Sequence, residues 1–383
     1  MNNPGETPSF ETRAIHDGLG FTGNTGSVIP PVYLTSTFAH GNADGFDYTR
    51  SGNPNFRILE SQIASLEGAA FGSVFASGVS AITAVVSTLS SGDRVLAEEN
   101  IYGCTFRLFD KVFAKFGVEV DYVDFTQPEG LERLATTKPK LVWIESPTNP
   151  SLKVLDIRAI ADAAHAVGVP VLVDNTFASS YLQQPLSLGA DLSLISLTKY
   201  TNGHSDALAG AVCCNDSTWA EKMVFAQKAL GLQPSPFDCW LISRGAKTMA
   251  LRMERHSANA LRLAEALQNE LGWAQVRYPW LPSHPQHTVA TKQMRGGSGI
   301  VTADPGWDLE TTIAFLKRLK WFTMAESLGG IESLICHPAS MTHASIPRAT
   351  RLQVGITDSL IRFSVGIESI DDLLSDIRSA LPS

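Results

Sequence analysis

The stretch Leu192-Ser193-Leu194-Ile195-Ser196-Leu197-Thr198-Lys199-Tyr200 decides how the chain is read. Its aliphatic run has the character of a strand buried in a parallel sheet, with a lysine just past the carboxyl end. The pattern recurs on either side. Residues 169–173 form a second apolar run, followed by Asp174-Asn175-Thr176. Leu141-Val142-Trp143-Ile144 forms a third, followed by Glu145-Ser146-Pro147-Thr148-Asn149-Pro150. Shorter strands are predicted at 94–97, 118–123 and 208–213. Between them the spacing predicts helices over 55–66 (Ile58, Leu59, Ile63, Leu66), 102–116 and 157–167, each stopped by a glycine at 68, 117 or 168. Strands alternating with helices imply βαβ units, hence an α/β fold with a mostly parallel sheet and helices on both faces.

Beyond this core a helical pattern runs over 245–271 and ends at Gly272. Short strands at 276–278 and 361–365 mix with helices at 309–319 and 370–381, which suggests a smaller α+β C-terminal domain. The first fifty or so residues are rich in Gly, Pro, Thr and Asn (Gly18-Leu19-Gly20, Ile29-Pro30-Pro31). They read as an extended arm lying on its own body or on a neighbouring subunit. The expected organisation is an arm over 1–52, a ligand-binding domain over 53–245 and a C-terminal domain over 246–383.

Composition narrows the class. Of 383 residues, 44% are hydrophobic and 18% charged, which is globular and excludes disorder, collagen-like repeats and coiled coil. A net charge of −8 gives no global attraction for nucleic acid or anionic lipid. Five cysteines, with no C-x-x-C spacing and with Cys213 adjacent to Cys214, read as reduced thiols of a cytoplasmic protein. Residues 1–9 are polar with two prolines and lack a secretory-signal pattern, and the most apolar stretch, 74–89, is too polar to span a bilayer.

Ligands of open parallel sheets bind beyond the carboxyl ends of the strands. Here three such ends present an acid, an amide and a lysine. Asp174 taken alone could cap a helix or form a structural salt bridge. Lys199 taken alone could snorkel from a strand end. Together they match the needs of pyridoxal 5′-phosphate (PLP). That cofactor requires a lysine for its Schiff base and a carboxylate to keep its pyridine nitrogen protonated, so that the ring can accept electrons. Phe75-Ala76-Ser77-Gly78-Val79-Ser80-Ala81 is a Ser/Gly turn into a helix, suited to a phosphate. Ser196 and Thr198 alternate toward one side and could add hydroxyls, and Tyr102 offers a ring for stacking.

The segment Asp191 to Ser205, containing Ser196-Leu197-Thr198-Lys199-Tyr200-Thr201-Asn202-Gly203-His204, resembles the PLP-attachment motif of the Cys/Met metabolism enzymes. Leu197 departs from it, standing where that family usually has a small residue, and is expected to alter packing rather than chemistry. Tyr48-Thr49-Arg50-Ser51-Gly52-Asn53-Pro54 is similar to another segment of the same family. The resemblance spans nearly the whole chain and implies the PLP-dependent transferase type I fold. It implies that Lys199 carries the cofactor, that Gly78, Val79, Ser196 and Thr198 hold its phosphate, and that Tyr102 stacks on its ring. It further implies that Asp174 pairs with the pyridinium, with Thr176 near the ring, and that Asn149, Ser327 and Arg362 hold the substrate α-carboxylate. Arg362 also has a structural ion pair as its alternative. Tyr48 and Arg50 would reach the phosphate of a neighbouring subunit, which implies at least a dimer, with a tetramer typical of the family.

Within that family the segments lean different ways. Residues 141–150 and 278–287 are similar to cystathionine γ-lyases, and Ala325-Glu326-Ser327-Leu328-Gly329-Gly330 is similar to both γ-lyases and γ-synthases. Tyr102-Gly103-Cys104-Thr105-Phe106 and His337 to His343 resemble methionine γ-lyases. Cystathionine has a second amino-acid head, which Glu326 and Arg107 could meet, whereas a buried unpaired Glu would be costly in a methionine pocket. The expectation is therefore γ-elimination on cystathionine, with γ-replacement on an O-acylhomoserine, or γ-elimination on methionine or another γ-substituted amino acid, as alternatives. Cys104 would line the pocket or simply pack on its helix. Lys199 and Tyr102 would move the protons. A zinc site from His284, His287, His337 and His343 lacks ligand spacing, and no G-x-G-x-x-G supports a nicotinamide site.

Overall fold

The computed structural model describes residues 7–19, 26–344 and 348–382. A large sheet is built from β1 (Phe71–Phe75), β2 (Arg94–Glu98), β3 (Glu119–Val123), β4 (Leu141–Glu145), β5 (Val171–Asp174), β6 (Leu192–Ser196) and β7 (Gly210–Cys214). Their order is β1-β7-β6-β5-β4-β2-β3. Strands β3, β2, β4, β5 and β6 run parallel, while β7 is antiparallel to both β6 and β1. Side chains of β4 alternate between two cores, as the pleat requires. Trp143 packs edge-on against Phe109 at 5.4 Å on one face. Val142 and Ile144 pack with Ile160 and Ala161 on the other. Helices thus cover both faces, as the uninterrupted apolar runs predict.

Local chemistry places the helices. Pro54–Glu67 starts where Asn53 accepts from the Asn55 N–H and Pro54 sets the first φ, and it ends at Gly68 in the left-handed conformation (φ 67°). Ile157–His165 is capped by Asp156. A second sheet combines β8 (Gln275–Arg277), β9 (Ile300–Asp304), β10 (Thr323–Met324), β11 (Leu334–Cys336) and β12 (Ile361–Ser364) in the order β10-β11-β12-β9-β8. All its pairs are antiparallel except β10 with β11. It packs through Phe363 and Val301 against Leu263, Phe315 and Ile377, which lie on the helices Met249–Glu265, Leu309–Arg318 and Ile370–Ala380.

Several elements differ from expectation. The pattern over 245–271 is not one helix. Pro236–Ala246 stops, Thr248 leaves helical geometry (φ −109°, ψ 10°), and Met249–Glu265 follows, closed by the wider turn Ala266–Glu270. The break serves buried Arg252, which donates to the carbonyls of Gly245, Tyr200 and Thr201 and to Thr248 Oγ1. A guanidinium at that depth needs acceptors, and the interrupted helix offers them. The helix expected over 102–116 divides into Gly103–Lys111 and a tighter turn, Phe113–Phe116. The arm contains the helix Phe10–His16, whose Phe10 meets Tyr181 edge-on at 5.1 Å. Over 26–52 it forms only the bridge Thr37–Tyr48. Its residues 1–6 and 20–25, Gly20 among them, lie outside the described residues. Strand β1 was not foreseen, because its pairing with β7 is non-local. Leu197, the unusual residue of the motif, is fully buried in the core. No helix among the described residues is long and apolar enough to cross a membrane.

Candidate active site

At the carboxyl ends of β4, β5 and β6 lies a cavity of about 580 Å³, within the usual range for small-molecule sites. It gathers Gly78, Val79, Tyr102, Cys104, Arg107, Asn149, Asp174, Thr176, Ser196, Thr198, Lys199, Glu326, Ser327 and Arg362. Tyr48 and Arg50 do not line it. Both are exposed, with the Arg50 guanidinium 5.5 Å from the Tyr48 ring and donating to the Lys228 carbonyl at 3.3 Å.

Lys199 follows β6, and its Nζ donates to Ser327 Oγ at 2.9 Å. Burial lowers its pKa to about 8, helped by the Arg362 charge and opposed by Glu326 and Cys104. Roughly a fifth of the amine is therefore neutral near physiological pH, far more than an ordinary lysine offers, and the neutral form is the nucleophile toward carbonyls. Ser327 holds φ at 112°, a costly conformation for a residue with a Cβ. Arg362 Nη2 donates to its carbonyl at 2.8 Å and contributes to fixing it there.

Arg362 on β12 is 2% exposed, yet its partners are neutral: the Ser327 carbonyl and Asn149 Oδ1, the latter at 2.9 Å. Its Nε has no partner, and no carboxylate pairs with it among the described residues. The structural ion pair considered for it is not formed. A buried cation left without an anion suits an incoming carboxylate.

Asp174 ends β5 and is buried. It accepts from the Thr176 N–H at 3.0 Å, caps no helix and meets no cation among the described residues. Burial holds its carboxyl above the usual range. Such an acid is suited to a cationic ring nitrogen. Thr176 Oγ1 in turn accepts from the Ser196 N–H at 2.9 Å, which ties β5 to β6.

The helix Gly78–Val86 begins at the cavity wall. Ser77 Oγ accepts from the Ser80 N–H at 3.0 Å, leaving the amides of Gly78 and Val79 unpartnered among the described residues. Gly78 permits the close approach, since a Cβ there would lie 3.1 Å from that of Ser196. Thr198 Oγ1 is engaged with Ala209, donating to its carbonyl at 3.2 Å. Tyr102 precedes the helix Gly103–Lys111, and burial, with Cys104 and Glu326 nearby, pushes its phenol pKa up.

Glu326 and Arg107 are both exposed at the cavity mouth. Burial of an unpaired Glu326, the cost expected to disfavour methionine, does not occur. The Arg107 guanidinium lies 3.8 Å from Cys104 Sγ. All five cysteines are unpaired. The histidines do not converge: His284 contacts the Leu152 carbonyl, His287 the Pro279 carbonyl, His337 Ser340 and Asp358, and His343 Thr342.

Sequence reasoning passed over Glu145, which also lines the cavity. The available signal was the same as for Asp174, an acid ending an apolar strand.

An amine of lowered pKa, a buried unpaired acid, free amides at a helix start and a buried unpaired guanidinium fit PLP with an amino-acid substrate. The fold and site thus define a PLP-dependent enzyme. The chain belongs to the Cys/Met metabolism PLP-dependent enzyme family, whose family model matches residues 11–382. It is 47% identical over 376 residues to cystathionine beta-lyase of Lactococcus lactis subsp. cremoris (97% of this chain, 99% of that one). It is 46% identical over 374 residues to cystathionine gamma-lyase of Dictyostelium discoideum (97% of each). The crystal structure of cystathionine gamma synthase from Xanthomonas oryzae pv. oryzae in complex with cystathionine superposes with a TM-score of 0.95 at 41% identity, covering 98% of both chains.

Proposed function

We propose that this protein is a carbon–sulfur lyase that cleaves cystathionine at its γ-carbon, converting cystathionine and water into cysteine, 2-oxobutanoate and ammonia. The observation that carries the amino-acid reading is buried Arg362, paired only with neutral groups and close enough to Lys199 to lower its pKa. PLP, when bound, supplies an electron sink conjugated with the substrate Cα. Arg362, with Asn149 and Ser327, holds the α-carboxylate and so points the Cα proton at Lys199. Neutral Lys199 removes that proton and then moves protons at Cβ. Tyr102 handles a proton near the departing sulfur. Asp174 keeps the ring nitrogen protonated, Gly78, Val79, Ser196 and Thr198 hold the phosphate, and Thr176 steadies Asp174.

Glu326 and Arg107 at the mouth offer opposite charges to the ammonium and carboxylate of the distal head, which favours cystathionine over methionine. Cys104 beside Arg107 contacts the substrate chain. A γ-replacement that makes cystathionine is the second reading, supported by the likeness to the γ-synthase structure.

The protein works as a cytoplasmic homo-oligomer of at least two copies, with four as the family resemblance implies, in which Tyr48 and Arg50 complete the phosphate site of a neighbour. Their exposure outside their own cavity supports this, as does exposed Leu208 at its rim. The positions of the two sheets, within 71–214 and 275–364, support division at 245/246.

The test is to incubate cofactor-loaded protein with cystathionine, with methionine, and with O-succinylhomoserine plus cysteine. Cysteine and 2-oxobutanoate from the first support the proposal. Homocysteine and pyruvate would instead mean cleavage on the β side. Methanethiol from methionine alone would make Cys104 the better guide, and cystathionine formed only in the third mixture would indicate a synthase.

A further inference from the structure

Glu145 has no part in the reaction above, although it reaches the cavity and is only 4% exposed. It ends β4 in register with Asp174 on β5, so two acids stand side by side. Among the described residues no cation pairs with it. Burial and the Asp174 charge both hold its carboxyl well above the usual range, and two backbone amides oppose them. Oε2 accepts from the Tyr102 N–H at 2.8 Å, and Oε1 accepts from the Asn149 N–H at 2.7 Å.

These amides belong to different walls of the cavity. Tyr102 lies after β2, at the start of a helix that has no side-chain cap of its own. Asn149 lies in the loop after β4 and passes its constraint through Oδ1 to Arg362. We propose that Glu145 is a positioning residue whose two carboxyl oxygens, by accepting from both amides at once, set the spacing between the ring-stacking wall at Tyr102 and the carboxylate-binding wall at Asn149 and Arg362. This rests on the reading of the cavity as a PLP and amino-acid site.

The bonding pattern makes the role specific to a carboxyl group, both of whose oxygens can accept. A glutamine has one acceptor oxygen, and its NH2 would face one of the two N–H donors, so one amide must swing away. An aspartate keeps both oxygens but is one methylene shorter and reaches only one of the two amides.

The test uses the full-length protein stripped of cofactor, with wild type, Glu145→Gln, Glu145→Asp, Tyr102→Ala and the double variant Glu145→Gln/Tyr102→Ala. PLP affinity is measured by quenching of tryptophan fluorescence, the apo melting temperature is recorded, and kcat and KM are measured on reloaded protein. Glu145→Gln should weaken PLP binding about tenfold and lower kcat/KM by about ten- to a hundredfold, as loss of a buried hydrogen bond beneath a binding residue does. Glu145→Asp should lie between it and wild type, and supplies the reading if the glutamine variant does not fold. With Tyr102 already truncated, Glu145→Gln should change PLP affinity far less, because the wall it sets has been removed. A full-sized effect in that background, or PLP and substrate binding as in wild type, overturns the positioning role alone. Failure of the wild-type protein to bind PLP overturns both this inference and the reading beneath it.

Discussion

Arg362 Nη1 on the small sheet and Asn149 Oδ1 beyond the large sheet are 2.9 Å apart, and this bond joins two halves of the chain in the wall of the cavity. A guanidinium so placed presents a planar fork of donors that no other cationic side chain reproduces. Arg362→Lys should therefore raise KM for amino-acid substrates and lower kcat/KM by about ten- to a hundredfold, with the absorbance of bound PLP unchanged. Steady-state kinetics beside a visible spectrum checks this. Loss of the PLP band would assign Arg362 to the cofactor instead.

Lys199 governs reactivity through its lowered pKa. The neutral fraction grows as pH rises through about 8, so the rate at which apo protein captures PLP should climb with a midpoint near that value rather than near 10.5. Stopped-flow absorbance across this range checks it. Lys199→Ala should abolish borohydride trapping.

Gly78 lies so close to β6 that an added methyl meets the Ser196 side chain at 3.1 Å. Gly78→Ala should push the helix start off the sheet and weaken PLP binding by about tenfold, the scale of one misplaced charge-assisted bond. Adding Ser196→Gly makes room for the methyl, and equilibrium binding should show partial recovery.

Glu67 is a buried acid beside Ser180, Ser193 and Asn175, and burial raises its pKa from 4.5 to about 7. Between those values the folded state holds a proton that the unfolded state has released, so its contribution to stability falls as pH rises across this window. Glu67→Gln should flatten that slope and raise the apo melting temperature at about pH 8 by roughly 1–3 °C. Calorimetry at several pH values checks it, and an unchanged slope would remove Glu67 from the account.

The distal-head role proposed for Glu326 and Arg107 would be exerted from exposed positions, where an ion pair gains about 0.2–1 kcal/mol. Glu326→Gln should raise KM for cystathionine up to about fivefold, with kcat nearly constant and methionine kinetics unmoved. An equal change for both substrates would mean that Glu326 does not meet the distal head.

Much of the site was legible because it follows strand ends. Asp174 and Lys199 were found from the apolar runs before them, and Gly78 from a serine that caps a helix. Glu145 was visible by the same signal but has no bond partner in its own neighbourhood except Asn149, so its link to Tyr102, forty-three residues away, could not be read. The break before Met249 was hidden because its cause, the bonds from Arg252 to the loop after Lys199, is tertiary.

The sequence by itself determined the parallel sheet, the helices with their caps, and the kinds of group offered at the strand ends. These follow from short-range periodicity and local hydrogen bonding, which are written in neighbouring residues. Only the tertiary structure decided that Arg362 has no acid for a partner among the described residues, that Glu326 stays in solvent, that Tyr48 and Arg50 lie outside their own cavity, and that β1 joins the sheet. Those outcomes depend on which distant groups meet and on how much water each contact excludes, and that is fixed only when the whole chain packs.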